Sequence, residues 1–198
     1  MIYIKKPLDA ARTYISRCDL EGELVVDATA GNGHDSVFLA QRVGEKGRVI
    51  AFDIQQAALL STKNRLIENN LDQRVSLVLS GHEHAKKHVK DDIAAAMFNL
   101  GYLPGGNHSI TTCAETTIKA LDVLIKKLKP GGIITLISYT GHSGGVREKN
   151  EVLAYCSKLS QTQYTVLNYE MINQINDPPS LVVMERHKYL GFIKESRD

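Results

Sequence analysis

The sequence predicts an α/β fold: a mostly parallel sheet with helices on both faces, closed by an antiparallel hairpin at the carboxyl end. Three observations predict it. Short apolar runs such as Leu24-Val25-Val26 and Val49-Ile50-Ala51-Phe52 each stop at an aspartate. Stretches with helical apolar spacing separate these runs, so strands buried on both faces alternate with helices. Near the end, two strand-like segments follow one another with only a loop between them.

Taken in order, Leu8 to Cys18 reads as an amphipathic helix, and Leu24 to Val26 as a buried strand ending in Asp27. His34 to Val43 returns to helical spacing through Val37, Phe38 and Ala40; Gly44 to Gly47 turns the chain into the strand Val49 to Phe52, which ends in Asp53. This βαβ unit spans about thirty residues, the usual size. The alternation continues with helix Gln55 to Asn69, strand Val75 to Leu79, a short helix Glu83 to Val89, strand Ile93 to Phe98, helix Ile110 to Leu128 and strand Ile133 to Ile137. After helix Glu148 to Leu159, strands Tyr164 to Met171 and Leu181 to Arg186 flank the loop Asn173 to Ser180, which makes the hairpin. That order matches the seven-stranded, Rossmann-like sheet of class I methyltransferases better than a dinucleotide fold, whose second half keeps alternating.

Composition sets bounds on function. A chain of 198 residues fits one domain, 1–198, with enough core to need no metal or disulfide staple. Cys18, Cys113 and Cys156 form no CxxC pair, which fits a reducing, cytoplasmic setting. The start Met1-Ile-Tyr-Ile-Lys-Lys-Pro lacks the apolar core of a signal peptide, and no apolar run reaches membrane-spanning length. A formal net charge of +2 does not identify a nucleic-acid partner, because phosphate binding depends on local clusters. Such clusters exist at Lys86-Lys87-His88 with Lys90, at Lys126-Lys127 with Lys129, and at Arg186-His187-Lys188, although charge on a helix face is usually just solvated. No residue demands an oligomer; a homodimer would enlarge the basic surface.

The stretch Asp27-Ala-Thr-Ala-Gly31-Asn32-Gly33-His34-Asp35 lies at the carboxyl end of the first strand, where open α/β sheets bind ligands. Glycines there let the backbone approach the aminoacid part of a cofactor, and Asp27 is positioned to accept from its ammonium group. Asp53, twenty-two residues after Gly31, is positioned for ribose hydroxyls, with Gln55 beside it. Gly81-His82 falls where residues flank an adenine ring. Both aspartates have a plainer reading as helix caps or loop anchors. Ser36 stands at the third glycine position of GxGxxG, and Asp35 would set negative charge against a pyrophosphate, so a nicotinamide cofactor is disfavoured.

The reacting end follows the fourth strand, in Asn99-Leu100-Gly101-Tyr102-Leu-Pro-Gly-Gly106. The spacing from Asn99 to Tyr102 resembles the Asn-Pro-Pro-Tyr motif of amino-methyltransferases, in which an amide and nearby carbonyls hold the target nitrogen and an aromatic stacks on a base. The two prolines are missing here, and Tyr102 also has a plain reading as loop packing. Two more loops fall at the same sheet edge: Ser138 to Gly145, carrying Tyr139 and His142, and Asn173 to Ser180, carrying Asn176, Asp177 and Pro178. His142 is a candidate proton acceptor, against the common case of a surface histidine with no role. His82, His84 and His88 lack the partners of a metal site, so no metal is expected.

Together, Asp27-Ala-Thr-Ala-Gly-Asn-Gly-His-Asp35, Phe52-Asp-Ile-Gln55, Phe98-Asn-Leu-Gly-Tyr-Leu-Pro-Gly-Gly106 and Asn173-Gln-Ile-Asn-Asp-Pro-Pro179 resemble the MnmM family over nearly the whole chain. That family, long labelled rRNA methylases, contains bacterial tRNA 5-aminomethyl-(2-thio)uridine methyltransferases. The resemblance implies methyl transfer from S-adenosyl-L-methionine to the aminomethyl nitrogen of the wobble uridine at tRNA position 34, with the anticodon stem-loop as partner. It places Asn32, His34, Asp53, Gln55, Gly81 and His82 on cofactor-contacting positions. Methylation of rRNA or of a small amine, an idle RNA-binding module and a nicotinamide oxidoreductase are the alternatives.

Overall fold

The computed structural model describes residues 4–175 and 177–188. In chain order these form α1 (Pro7–Ile15), β1 (Leu24–Asp27), α2 (His34–Arg42), β2 (Arg48–Asp53), α3 (Gln56–Glu68), β3 (Val75–Leu79), α4 (Ala85–His88), β4 (Ile93–Leu100), α5 (Ala114–Lys127), β5 (Leu128–Ser138), α6 (Gly145–Cys156), β6 (Tyr164–Tyr169) and β7 (Ser180–Arg186). The seven strands make one sheet in the order β3-β2-β1-β4-β5-β7-β6. Strands β1 to β5 pair in parallel, while β7 runs antiparallel to both β5 and β6. The predicted class and its hairpin are both present.

Strand residues alternate between two cores because successive side chains point to opposite faces. Val26, Ala96, Phe98, Ile134, Leu136, Val182 and Met184 join α4, α5 and α6 on one face. Their neighbours Val25, Ala95, Met97, Ile133, Ile137, Leu181 and Val183 join α1 and α2, with Leu66 of α3, on the other. Phe98 is 1% exposed, and truncating such a ring to alanine costs about 3–5 kcal/mol. Pro7 starts α1, where its missing N–H costs nothing.

Chain direction reverses between β1 and β4: from β1 the chain builds outward to β3, then returns to the other side of β1. The loops after these two strands therefore diverge and open a crevice at their carboxyl ends. Several boundaries differ from those expected. Helix α5 begins at Ala114, not at Ile110, because Ile110 to Cys113 is extended; Tyr102 bridges Thr111, and Thr112 N donates to Gly101 O at 2.9 Å. β-Branched residues favour that extended form. Helix α6 starts at Gly145 and stops at Cys156, and β6 ends at Tyr169. Among the described residues no helix is long and apolar enough to cross a membrane.

Candidate active site

A cavity of about 680 Å³ lies in that crevice. Its wall comes from seven segments: Ala28 to Asn32 with His34 and Asp35, Phe52 to Gln55, Ser80 to Glu83, Asn99 to Pro104, Ile110 to Cys113 with Thr116, Tyr139 to His142, and Asp177 to Pro179. Asn32, His34, Gln55, Gly81, Leu100 and Gly101 all line it, as do Asp53, His82, Asn99, Tyr102 and His142. Asn176 lies outside the described residues.

The glycine loop is tied down from beneath and from the side. Asp53 Oδ2 accepts from Gly31 N at 2.9 Å and its Oδ1 accepts from Gln55 N at 2.9 Å, so the end of β2 fixes the loop after β1. Each oxygen keeps a lone pair for a hydroxyl in the cavity. Gly31 has φ +52°, and its carbonyl accepts from Thr62 Oγ1 at 3.0 Å; Arg65 Nε donates to Asn32 O at 2.7 Å. The exposed His34 at the start of α2 has its pKa lowered by partial desolvation and by the positive charges of Arg65 and Arg12.

Asp27 and Gly33 sit one layer below the wall and do not line the cavity. Asp27 is 1% exposed; its Oδ2 accepts from Ser36 Oγ at 2.6 Å and its Oδ1 from Thr29 N at 3.2 Å. Burial, and then the charge of Asp35, pushes its carboxyl up to about 7. Gly33 has φ +82°, and a Cβ there would stand 2.8 Å from Thr62 Cα. Its place is the contact between α2 and α3.

At the reacting end, Asn99 N donates to Thr29 Oγ1 at 2.7 Å and Asn99 Nδ2 donates to Asp35 Oδ2 at 3.1 Å. Asp35, buried at the start of α2, also accepts from Arg12 of α1, at 2.8 Å through a terminal nitrogen and 3.1 Å through Nε. Asn99 Oδ1 is buried with no partner among the described residues. A buried carbonyl normally finds a donor, so this orphan marks where one is missing. Gly101, at φ +137°, turns the chain after it, and its N–H donates to Thr112 Oγ1 at 2.9 Å.

Two histidines present bare ring nitrogens. His82 Nδ1 meets the Ala28 carbonyl at 3.0 Å and His142 Nδ1 meets the Ser143 carbonyl at 3.1 Å. A carbonyl only accepts, so each Nδ1 carries a proton, and in the neutral ring the lone pair is then on Nε2. Both Nε2 atoms are buried without a partner among the described residues. Burial lowers the His82 pKa, holding the ring neutral, and Phe98 meets it edge-on with centroids 5.6 Å apart. Tyr102 stacks on His108 at 4.0 Å, 38% exposed, and meets His142 edge-on at 6.2 Å. Burial raises the Tyr139 pKa, with Asp35 adding to the effect.

Several residues that complete the site were not anticipated: Arg12, Thr29, Ser36, Thr62, Thr112 and Glu148. Glu148, 3% exposed, accepts from Thr112 Oγ1 at 2.7 Å and Thr117 Oγ1 at 2.8 Å. Its place at a helical position turned toward apolar neighbours was the available signal. Among the described residues no group of three histidine, cysteine or acidic side chains is arranged to hold a metal.

Known proteins share this architecture. The family model described as "Putative rRNA methylase" matches residues 49–185. The chain is 35% identical over 192 residues to "tRNA (mnm(5)s(2)U34)-methyltransferase, chloroplastic" of Arabidopsis thaliana, covering 92% of this chain and 70% of that protein. The crystal structure of a protein described as a putative rRNA-methylase from Clostridium thermocellum superimposes with a TM-score of 0.91 at 45% identity, covering 93% of this chain and all of that one. A Streptococcus mutans protein described as a putative methyltransferase, solved in complex with SAH, gives a TM-score of 0.86 at 38% identity over 92% of this chain and 99% of its own.

Proposed function

The chain belongs to the rRNA methylase family, and from that premise we propose that it transfers a methyl group from S-adenosylmethionine to the aminomethyl nitrogen of 5-aminomethyl-(2-thio)uridine at tRNA position 34. The donor is supported by the S. mutans relative solved with SAH, the acceptor by the name of the Arabidopsis relative.

The residues present fit such a cofactor. A cavity of about 680 Å³ falls in the usual range for cofactor sites, roughly 300–1,000 Å³. Asp53 offers two acceptor oxygens to ribose hydroxyls, the backbone of Gly31 and Asn32 receives the aminoacid end, and the neutral His82 Nε2 offers an acceptor at the adenine end. S-adenosylmethionine supplies an electrophilic methyl on a sulfonium.

The observation that carries the acceptor is the unpartnered Asn99 Oδ1 in the cavity wall. A neutral amine has N–H donors and one lone pair; accepting an N–H at Oδ1 orients the nitrogen and leaves that lone pair free. Holding the nitrogen in line for attack supplies several kcal/mol without covalent catalysis. His142 Nε2, or solvent, takes the proton released. Tyr102 and Tyr139, at the mouth, hold the uridine ring, as aromatic side chains hold splayed loop bases. Leu100 and Gly101 line the cavity beside Asn99, and Asp177 and Pro178 line it as well.

The test is methyl transfer from labelled S-adenosylmethionine to tRNA from cells lacking this protein, read by nucleoside mass spectrometry. A new 5-methylaminomethyl-uridine derivative is expected. Labelled rRNA with unlabelled tRNA would move the acceptor to the ribosome.

A further inference from the structure

We infer that Asp35 and Arg12 act as a positioning pair for Asn99: a carboxylate pinned by a guanidinium from α1 decides which end of the Asn99 amide faces the substrate. This rests on the methyl-transfer reading and adds to it a device for fixing amide orientation, assembled from three elements far apart in the chain.

The two ends of an asparagine amide have nearly the same shape and opposite hydrogen-bonding character. The backbone bond from Asn99 N to Thr29 Oγ1 holds the main chain and leaves the amide free to flip. Asp35 removes that freedom. Its Oδ2, 3.1 Å from Asn99 Nδ2, only accepts, so a flipped amide would set oxygen against oxygen in a buried place. Both Arg12 contacts fall on the other oxygen, Oδ1, which leaves Oδ2 turned toward Asn99. Arg12 is itself steadied by the Phe38 ring, 5.5 Å from its guanidinium carbon.

The consequence is chemical. With Nδ2 committed to Asp35, Oδ1 faces the cavity and accepts an amine N–H, so the nitrogen lone pair stays available to attack carbon. The flipped amide would present an N–H donor, and its best partner would be that same lone pair. One orientation exposes the nucleophile and the other blocks it. Asp35 thus acts through Asn99, although it also lines the cavity.

The experiment is a double-mutant cycle on the full chain with Asp35→Asn, Asn99→Ala and the pair combined. Turnover is measured on tRNA from cells lacking the protein, and SAH affinity is measured by calorimetry. Asp35→Asn should lower kcat roughly 10–100-fold, the scale of a misplaced reacting group, and leave the SAH Kd within about threefold. In the Asn99→Ala background it should cost nothing further, because residues acting through one another are not additive. Arg12→Lys, which keeps the charge and loses the fork, should show a smaller loss that also vanishes in that background. It serves as the second variant should Asp35→Asn fail to fold. An SAH affinity that falls as far as kcat would make Asp35 a cofactor ligand, and full additivity with Asn99→Ala would make it an independent contributor; either overturns the proposal. A wild-type protein that binds SAH and labels no RNA overturns the methyl-transfer reading and the pair's role with it.

Discussion

Ser36 donates its hydroxyl to Asp27 at 2.6 Å in a place shut off from both solvent and the cavity, so the first acid of the glycine loop is a foundation for the site. The hydroxyl and Thr29 N favour the charged carboxylate, yet desolvation and the neighbouring charge of Asp35 outweigh them and push the carboxyl up to about 7. The fold thus prefers Asp27 protonated.

Asp27 should therefore make stability depend on pH. Its folded pKa, about 7, lies above its ordinary 3.8, so the folded state binds the extra proton. The resulting stabilisation is fully present below pH 3.8 and is lost as pH rises through about 7. Asn at this position is neutral throughout and keeps both contacts, accepting from Thr29 and donating to the Ser36 oxygen. Urea unfolding of wild type and Asp27→Asn should show the wild type losing ground by a few kcal/mol between pH 5 and pH 8. A difference that stays flat with pH would mean Asp27 is ionised in the fold throughout.

Gly33→Ala should destabilise the protein by about 1–3 kcal/mol. The left-handed φ of +82° disfavours any side chain, and the new methyl would meet Thr62 Cα at 2.8 Å, a backbone atom that cannot rotate away. Thermal unfolding measures this directly. An equal Tm for the variant would show that α2 and α3 separate freely. Gly105, at φ +80° with nothing within 4 Å of its ideal Cβ, is the control: alanine there meets only the backbone cost.

These two positions show where the sequence was readable. Asp27, Gly33 and Asp53 were visible as a strand-end pattern, because parallel strands between helices leave their loops at one edge and glycine and aspartate serve there. Pattern alone does not say which residue faces the ligand and which supports the loop from below; Ser36, with its hydroxyl on Asp27, decides that in three dimensions. The Arg12–Asp35 pair and the Glu148 anchor join residues 23 and 31 to 36 positions apart, and no local period encodes them. Ile110 to Cys113 read as helix by apolar spacing, but pairing with Gly101 and Tyr102 satisfied its backbone in extended form.

Asp53→Ala should weaken SAH binding roughly 10–100-fold, the worth of one hydrogen bond to a charged group. The loss has two parts: ribose acceptors disappear, and Gly31 N at 2.9 Å loses the partner that shapes its loop. Calorimetry with SAH reads the sum. Asp53→Asn should lose less, because its single carbonyl oxygen still serves one of the two backbone donors, Gly31 or Gln55, and one ribose hydroxyl. An unchanged Kd in Asp53→Ala would move the ribose elsewhere.

Glu148→Ala tests the support of the substrate loop from α6. The buried carboxylate accepts from Thr112 and Thr117, and Thr112 in turn accepts from Gly101 N at 2.9 Å, next to Leu100 and Asn99. Alanine leaves the buried Thr117 hydroxyl unpaired and opens a void, which should cost about 2–4 kcal/mol. Because Thr112 loses one of the bonds that hold it against Gly101, KM for the RNA substrate should rise while SAH affinity stays within about threefold. Glu148→Gln, whose amide accepts one hydroxyl proton and donates to the other hydroxyl oxygen, should recover most of both losses. If Glu148→Gln behaves like alanine, the charge itself is needed at this position; if KM is unmoved in both variants, Thr112 holds Gly101 without help from α6.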